Sequence, residues 1–219
     1  MQHLMGVIFD LDGVLIDTGQ FHRDAWYMMS KEEGLTFSDE HFYSTFGMQN
    51  YQIIPTMTSS DLADKEISRM SDRKELLFRK LINGKLELLC GAEDLIIDLK
   101  NKGFRLSIGS STTKLNMDFI VENLSIFNCF DAIVIGEDVT KGKPAPDTFL
   151  KAAEKLSLEP RCCVVVEDAV QGVQAGKTAG MAVVAVTTTR QRKDLMQADM
   201  IVDSLDELKS DDFLKLLSN

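Results

Sequence analysis

Six short runs rich in β-branched residues recur along the chain: Gly6-Val7-Ile8-Phe9, Leu106-Ser107-Ile108, Ala132-Ile133-Val134-Ile135, Val164-Val165-Val166, Ala182-Val183-Val184-Ala185-Val186 and Met200-Ile201-Val202. Most are apolar at consecutive positions, so both faces of each strand must be covered, as in a parallel sheet. Helical patterns lie between them. Ala92, Leu95, Ile96 and Leu99 follow the i, i+3, i+4, i+7 spacing, as do Phe149, Ala152, Ala153 and Leu156. Gly103 is placed to stop the first of these helices. Strand and helix in alternation predict an α/β fold, a doubly wound, Rossmann-like parallel sheet, with Asp211–Asn219 as a short terminal helix.

One interval breaks the rhythm. Residues 17–86 contain no convincing strand and several helical stretches. Phe21, Ala25, Met28 and Met29 form one apolar stripe, and Leu76, Leu77 and Leu81 belong to another. Charge is dense on the remaining faces, as in Lys31-Glu32-Glu33 and Arg73-Lys74-Glu75. The expected division is an α/β core of residues 1–16 and 87–219 carrying a small all-α domain of residues 17–86. A chain of 219 residues suffices for both.

The formal net charge of −10 argues against nucleic acid or an anionic membrane as the main partner. It leaves room for a small anionic substrate held by a few well-placed cations. No apolar segment has bilayer-spanning length, and Met1–Gly13 has no signal-like character, which points to the cytoplasm. The four cysteines, Cys90, Cys129, Cys162 and Cys163, show no CxxC spacing and read as buried free thiols, the last two in a buried strand. A monomer is the default expectation.

The residues that can carry chemistry stand at strand ends, where open α/β sheets bind ligands. Asp10 ends the first strand; if the chain stays extended, Asp12 lies on the same side, and Gly13 permits the turn away. Two such close carboxylates do not both stay ionised without a cation, and magnesium suits oxygen ligands of this kind. Asp10 can then attack phosphorus while Asp12 works as acid and base. The second strand runs into Ser110-Ser111-Thr112, hydroxyls suited to phosphate oxygens. Lys143 stands before Pro144, able to neutralise both phosphate and aspartates. Glu167 and Asp168 close a strand of valines, and Gly172 and Gly176 beyond them suit close helix packing. Each element alone has a plainer reading: a polar turn, a helix cap, a solvated lysine.

Taken together and in this order, Asp10-x-Asp12, Ser110, Lys143 and Glu167-Asp168 resemble the haloacid dehalogenase superfamily over the whole chain. The wording FDLDGVLIDT and KPAPDTF is similar to its β-phosphoglucomutase-like branch, which has a helical cap. The resemblance implies Asp10 as nucleophile and Asp12 as general acid/base. It implies Mg2+ held by Asp10, the Asp12 backbone carbonyl and Asp168 with Glu167 beside them, and Ser110 with Ser111 and Lys143 on the phosphoryl group. It also brings His22 and Trp26 to the cap entrance, His22 able to position Asp12 when the cap shuts. Gly47 and Asn50 would be cap positions facing the substrate.

Relatives that interconvert sugar phosphates carry a cap arginine shortly after a glycine, to grip a second phosphate. Here that stretch is Gly47-Met48-Gln49-Asn50, without a cation. Arg73, Lys74 or Arg79 could substitute, although a solvated helix face explains them as well. The expectation is a phosphatase for a small phosphorylated metabolite, with a sugar phosphate first. The alternatives are a β-phosphoglucomutase and, in another class, a catalytically idle binding module.

Overall fold

The computed structural model describes residues 4–58 and 61–218. β1 (Gly6–Phe9) is followed by four helices, α1 (Gly19–Glu33), α2 (Asp39–Thr45), α3 (Asn50–Ile53) and α4 (Asp64–Ile82). Next come α5 (Ala92–Asn101), β2 (Arg105–Gly109), α6 (Lys114–Asn123), β3 (Ala132–Val134) and α7 (Asp147–Lys155). The chain closes with β4 (Cys163–Glu167), α8 (Val170–Thr178), β5 (Ala182–Val186), β6 (Met200–Val202) and α9 (Ser210–Ser218). The six strands form one sheet in the order β3-β2-β1-β4-β5-β6, every pairing parallel.

Both faces of the sheet are covered, which explains the continuous apolar runs. Val7, Phe9, Val164, Val166, Val184 and Val186 point into a cluster with residues of α5, α6 and α9. The alternating Ile8, Val165, Val183 and Ala185 point the other way, against Phe149 and Ala152 of α7 and Val173 of α8. The fold is the doubly wound α/β architecture, with strand bounds shifted by a residue or two. β3 stops at Val134, and Ile135 opens a 3-10 turn instead of extending the strand.

The cysteine expectation needs correcting. Cys162 ends the 3-10 turn Pro160–Cys162 and is half-buried, whereas β4 begins at Cys163. All four thiols are free, but only Cys163 is buried; Cys90 is exposed. Of the expected terminal helix, Asn219 lies outside the described residues.

Helices α1 to α4 share an apolar cluster of their own, including Trp26, Met29, Phe42, Phe46, Leu77 and Phe78. Its stripes differ from those expected. Met28 and Leu76 are exposed. The buried face of α1 is His22, Ala25, Trp26 and Met29, and that of α4 runs through Met70, Lys74, Leu77 and Phe78. Two chain segments tie the helices to the sheet: Leu89 N–H donates to Leu15 O at 3.0 Å, and Ile16 forms an isolated antiparallel bridge with Leu88.

Candidate active site

β1 is flanked by β2 on one side and β4 on the other, so the winding of the sheet reverses there. Ligands of such sheets bind at this reversal, beyond the carboxyl ends of the strands. The parallel register of β1 and β4, Phe9 opposite Val166, brings Asp10 beside Glu167. Asp10 N–H continues the ladder to Val166 O at 2.9 Å. Lys143 arrives from the loop between β3 and α7, entirely buried. Its Nζ donates to Asp10 Oδ1 at 2.6 Å and to Glu167 Oε1 at 2.7 Å, 4.7 Å above the centre of the Phe149 ring.

The electrostatics follow from burial. Burial pushes the Asp10 carboxyl up to about 7; the Lys143 ammonium opposes this, and Glu167 and Asp12 add to it. Burial, with Glu167 and Asp10 nearby, holds Asp168 well above the ordinary carboxylate range. Burial would strip the Lys143 proton, but Asp10 and Glu167 more than reverse that and hold its pKa above the usual lysine value. One ammonium thus faces three buried acids, an arrangement that is costly without a further cation.

The donor set fits a divalent ion. Asp10, Glu167 and Asp168 each offer an oxygen, all within 4.8 Å of one another. Asp168 Oδ2 accepts from Thr189 Oγ1, while its buried Oδ1 has no hydrogen-bond partner among the described residues. Both oxygens of Glu167 are engaged: Oε1 by Lys143, Oε2 by the N–H groups of Asp168 at 2.8 Å and Ala169 at 2.9 Å. Asp10 and Asp168 therefore have oxygens free for an all-oxygen magnesium shell, and Glu167 braces them.

Gly172 explains how Glu167 fits. A Cβ at this position would lie 1.7 Å from Glu167 Oε1, whereas one at Gly176 would meet Val183 and Val165. Both glycines let α8 pack closely on the sheet, as expected, Gly176 against Val183 and Val165 and Gly172 against the Glu167 carboxylate. Gly172→Ala is expected to displace Glu167, destabilise the protein by about 1–3 kcal/mol and cut activity about tenfold. Urea unfolding and steady-state kinetics on the same preparation check this.

Asp12 has different surroundings. Gly13, at φ +84°, turns the chain, and Asp12 Oδ1 accepts from Thr18 Oγ1 at 2.5 Å. His22 Nε2 lies 3.2 Å from the same oxygen, and Lys74 Nζ lies 2.8 Å from His22 Nδ1. An ammonium only donates, so Nδ1 is the acceptor and Nε2 carries the proton directed at Asp12. Burial would raise Asp12, but His22, Thr18 and Lys74 outweigh it and bring the carboxyl below its ordinary value.

Lys74 and Glu75 are the main departure from the sequence expectation. They were read as part of a solvated face, yet they are 2% and 5% exposed. Glu75 Oε1 accepts from Lys74 Nζ at 2.8 Å and Asn50 Nδ2 at 2.6 Å, and Oε2 from Asn116 Nδ2 of α6 at 2.5 Å. Arg79 donates to Asn116 Oδ1 at 2.6 Å. A lysine inside an apolar stripe, Met70-x3-Lys74-x2-Leu77-Phe78, was the available signal; Asn116, Thr18 and Thr189 had none.

The helical layer sits closed on the sheet. Ser111 Oγ donates to Gly47 O at 2.7 Å, Gln49 Nε2 to Gly136 O at 2.7 Å and Tyr51 OH to Thr140 O at 3.2 Å. Asp10, Asp12, His22, Gly47, Asn50, Ser110 and Ser111 are thereby brought around one cavity of about 50 Å3. Lys143, Glu167 and Asp168 lie behind Asp10 rather than on the cavity wall. Ser110 Oγ accepts from Thr112 N–H at 3.0 Å, which orients it.

Residues 7–186 match the family of haloacid dehalogenase-like hydrolases. β-Phosphoglucomutase of Bacillus subtilis is 32% identical over 213 residues, 94% of this chain and 92% of that protein. Fructose-1-phosphate phosphatase YqaB of Escherichia coli is 31% identical over 183 residues, 83% of this chain and 95% of that one. Among solved structures, β-phosphoglucomutase from Clostridium difficile superposes with a TM-score of 0.89 at 27% identity, covering 98% of this chain and 97% of that one. Both relatives named for their activity move a phosphoryl group, and the fold extends the likeness to nearly every residue here. The chain belongs to the haloacid dehalogenase-like hydrolases and is a phosphoryl-transferring enzyme of their β-phosphoglucomutase-like branch.

Proposed function

We propose that the chain is a magnesium-dependent phosphatase that hydrolyses a small phosphorylated metabolite, a sugar phosphate first, through a phosphoryl group carried on Asp10. The supporting observation is Asp10 itself, on the wall of the cavity with Asp12 and backed by Lys143 and Asp168. Asp10 attacks phosphorus, and the bond to the leaving oxygen breaks. Asp12, a carboxylate in the resting site and protonated when the anionic phosphate enters beside it, gives that oxygen its proton. Water then attacks phosphorus, Asp12 takes the proton, and the bond to Asp10 breaks to free phosphate. His22 aims Asp12, Ser110 faces the phosphoryl oxygens from the cavity wall, and Lys143, behind Asp10, balances the charge of the nucleophile. Asp10, Asp168 and the Asp12 backbone carbonyl would hold magnesium, which neutralises the carboxylates and the phosphoryl oxygens when bound. Residues 17–86 act in this reading as a cap that closes to exclude bulk water.

The cap cations favour a phosphatase over a mutase. Arg73 is paired with Glu32 at 2.6 Å, Arg79 with Asn116, and Lys74 with His22 and Glu75. None of the three stands free to grip a second phosphate. The mutase remains the second reading on the strength of the 32% identical relative of that name.

Phosphate release from a panel of sugar phosphates is expected with Mg2+ and is expected to fall by about two orders of magnitude or more with chelator. β-Glucose 1-phosphate converted to glucose 6-phosphate faster than phosphate is freed would make the chain a mutase. No turnover of any ester would leave a binding module.

A further inference from the structure

Gly142 stands one residue before the buried Lys143, and what keeps it a glycine comes from the helical layer. Its backbone is not left-handed, so conformation does not require the missing side chain. The three atoms nearest to where a Cβ would sit all belong to residues 17–86. They are Gln49 Oε1 at 2.7 Å, Gln49 Cδ at 2.8 Å and Gln52 Oε1 at 2.8 Å.

Gln49 is the N-cap residue of α3, 5% exposed, and its side chain reaches out of the helical layer into the core. Its Nε2 donates to Gly136 O at 2.7 Å, and a Cβ at Gly136 would lie 3.0 Å from the same nitrogen. Only a donor can meet that carbonyl, which fixes the orientation of the amide. Oε1 then faces Gly142 and has no hydrogen-bond partner among the described residues. The amide is planar and moves as one piece. A methyl group at Gly142 that pushes Oε1 aside also pulls Nε2 away from Gly136.

The other contacts between layer and core are of two kinds. Ser111 with Gly47, and Glu75 with Asn116, involve residues on the wall of the catalytic cavity. Tyr51 with Thr140, and Gln171 with Ser44, are made at exposed positions, where water competes for the same groups. Gln49 is buried and stands off that wall, so its variants separate closure from chemistry.

We infer that Gln49 is a positioning residue. Seated between Gly136 and Gly142, it holds the helical layer shut, and so keeps His22 of that layer 3.2 Å from Asp12 of the core. Gly142 is a glycine in order to admit it. The inference rests on the reading of residues 17–86 as a cap, so closure is measured apart from turnover. Trp26 is the single tryptophan, 3% exposed, and lines the catalytic cavity from the helical layer. Acrylamide quenching of its fluorescence therefore reports opening. Turnover is read with Mg2+ and p-nitrophenyl phosphate, and thermal unfolding is followed on the same preparations.

Gly142→Ala is expected to raise quenching about twofold and lower kcat/KM about thirtyfold, because the methyl overpacks the closed state alone. Its Tm should move by about 3 °C at most, since opening relieves the clash. Gln49→Glu keeps the shape without the donor, and Gln49→Ala removes both; each should lower kcat/KM about tenfold. In the Gln49→Ala background, Gly142→Ala should cost about threefold at most, with only the flexible end of the half-buried Gln52 left to adjust. A Gly142→Ala loss that is equal with and without Gln49→Ala overturns the inference, as does Gln49→Glu protein that is as closed and active as the native. If Gly142→Ala does not fold, Gln49→Glu decides alone, raised quenching supporting the inference and unchanged quenching overturning it. The expected quenching without turnover of any ester keeps the latch and loses the phosphatase. Phosphate release with quenching that no variant moves loses the latch and keeps the phosphatase.

Discussion

Asp10→Asn is expected to abolish phosphate release, by about four orders of magnitude or more in kcat, while the protein stays folded and still binds phosphate esters. The amide keeps the shape of the carboxyl and can still meet Lys143, whose Nζ lies 2.6 Å from Oδ1. What it loses is the negative oxygen that attacks phosphorus. Folding is not threatened, because the wild-type carboxyl is buried among acids and raised to about 7. Removing its charge relieves repulsion with Glu167 and Asp12. Thermal unfolding alongside a phosphate-release assay decides the matter. Activity retained within tenfold would mean that another group is the nucleophile.

Lys143→Met is expected to cost about 3–5 kcal/mol of stability at pH 7.5 without metal, since it leaves buried carboxylates without their ammonium. Lys143 is wholly buried and pairs with both Asp10 and Glu167. The pH dependence has a definite sign. Asp10 and Asp168 already have raised folded-state values, and losing the cation raises them further. Between their unfolded and folded values the native state binds more protons than the unfolded chain, so stability falls as pH rises. The slope is about 1.4 kcal/mol per pH unit for each extra proton. The deficit of Lys143→Met should therefore shrink toward pH 5.5, and Mg2+ should reduce it at pH 7.5. Urea unfolding at the two pH values, with and without the metal, reads this directly. A deficit that is the same in all four conditions would show that the lysine serves only to fill space.

Much of this molecule was legible without coordinates. The runs apolar on both faces imposed a sheet covered on both sides, and alternation with helical spacing imposed its parallel winding. Asp10 and Glu167-Asp168 stood out because charged residues at the ends of buried strands need a reason to be there, and Lys143 because the Pro144 after it restricts its backbone. Position along the chain is enough for such inferences, since strand ends and turns are local.

Tertiary structure decided the rest. Lys74 and Glu75 look like surface charge in the sequence, and only the crossing of α4 over α1 and α6 turns them inward to His22, Asn50 and Asn116. Gly172 reads as a packing residue, and only the structure shows that what it packs against is the Glu167 side chain. A cleft beside the catalytic cavity is made by surfaces distant in sequence, α4 and the segments beyond β2 and β3. Local periodicity reports which side of an element is apolar. It does not report which polar groups meet when two elements close on each other, because that depends on distances no single segment encodes.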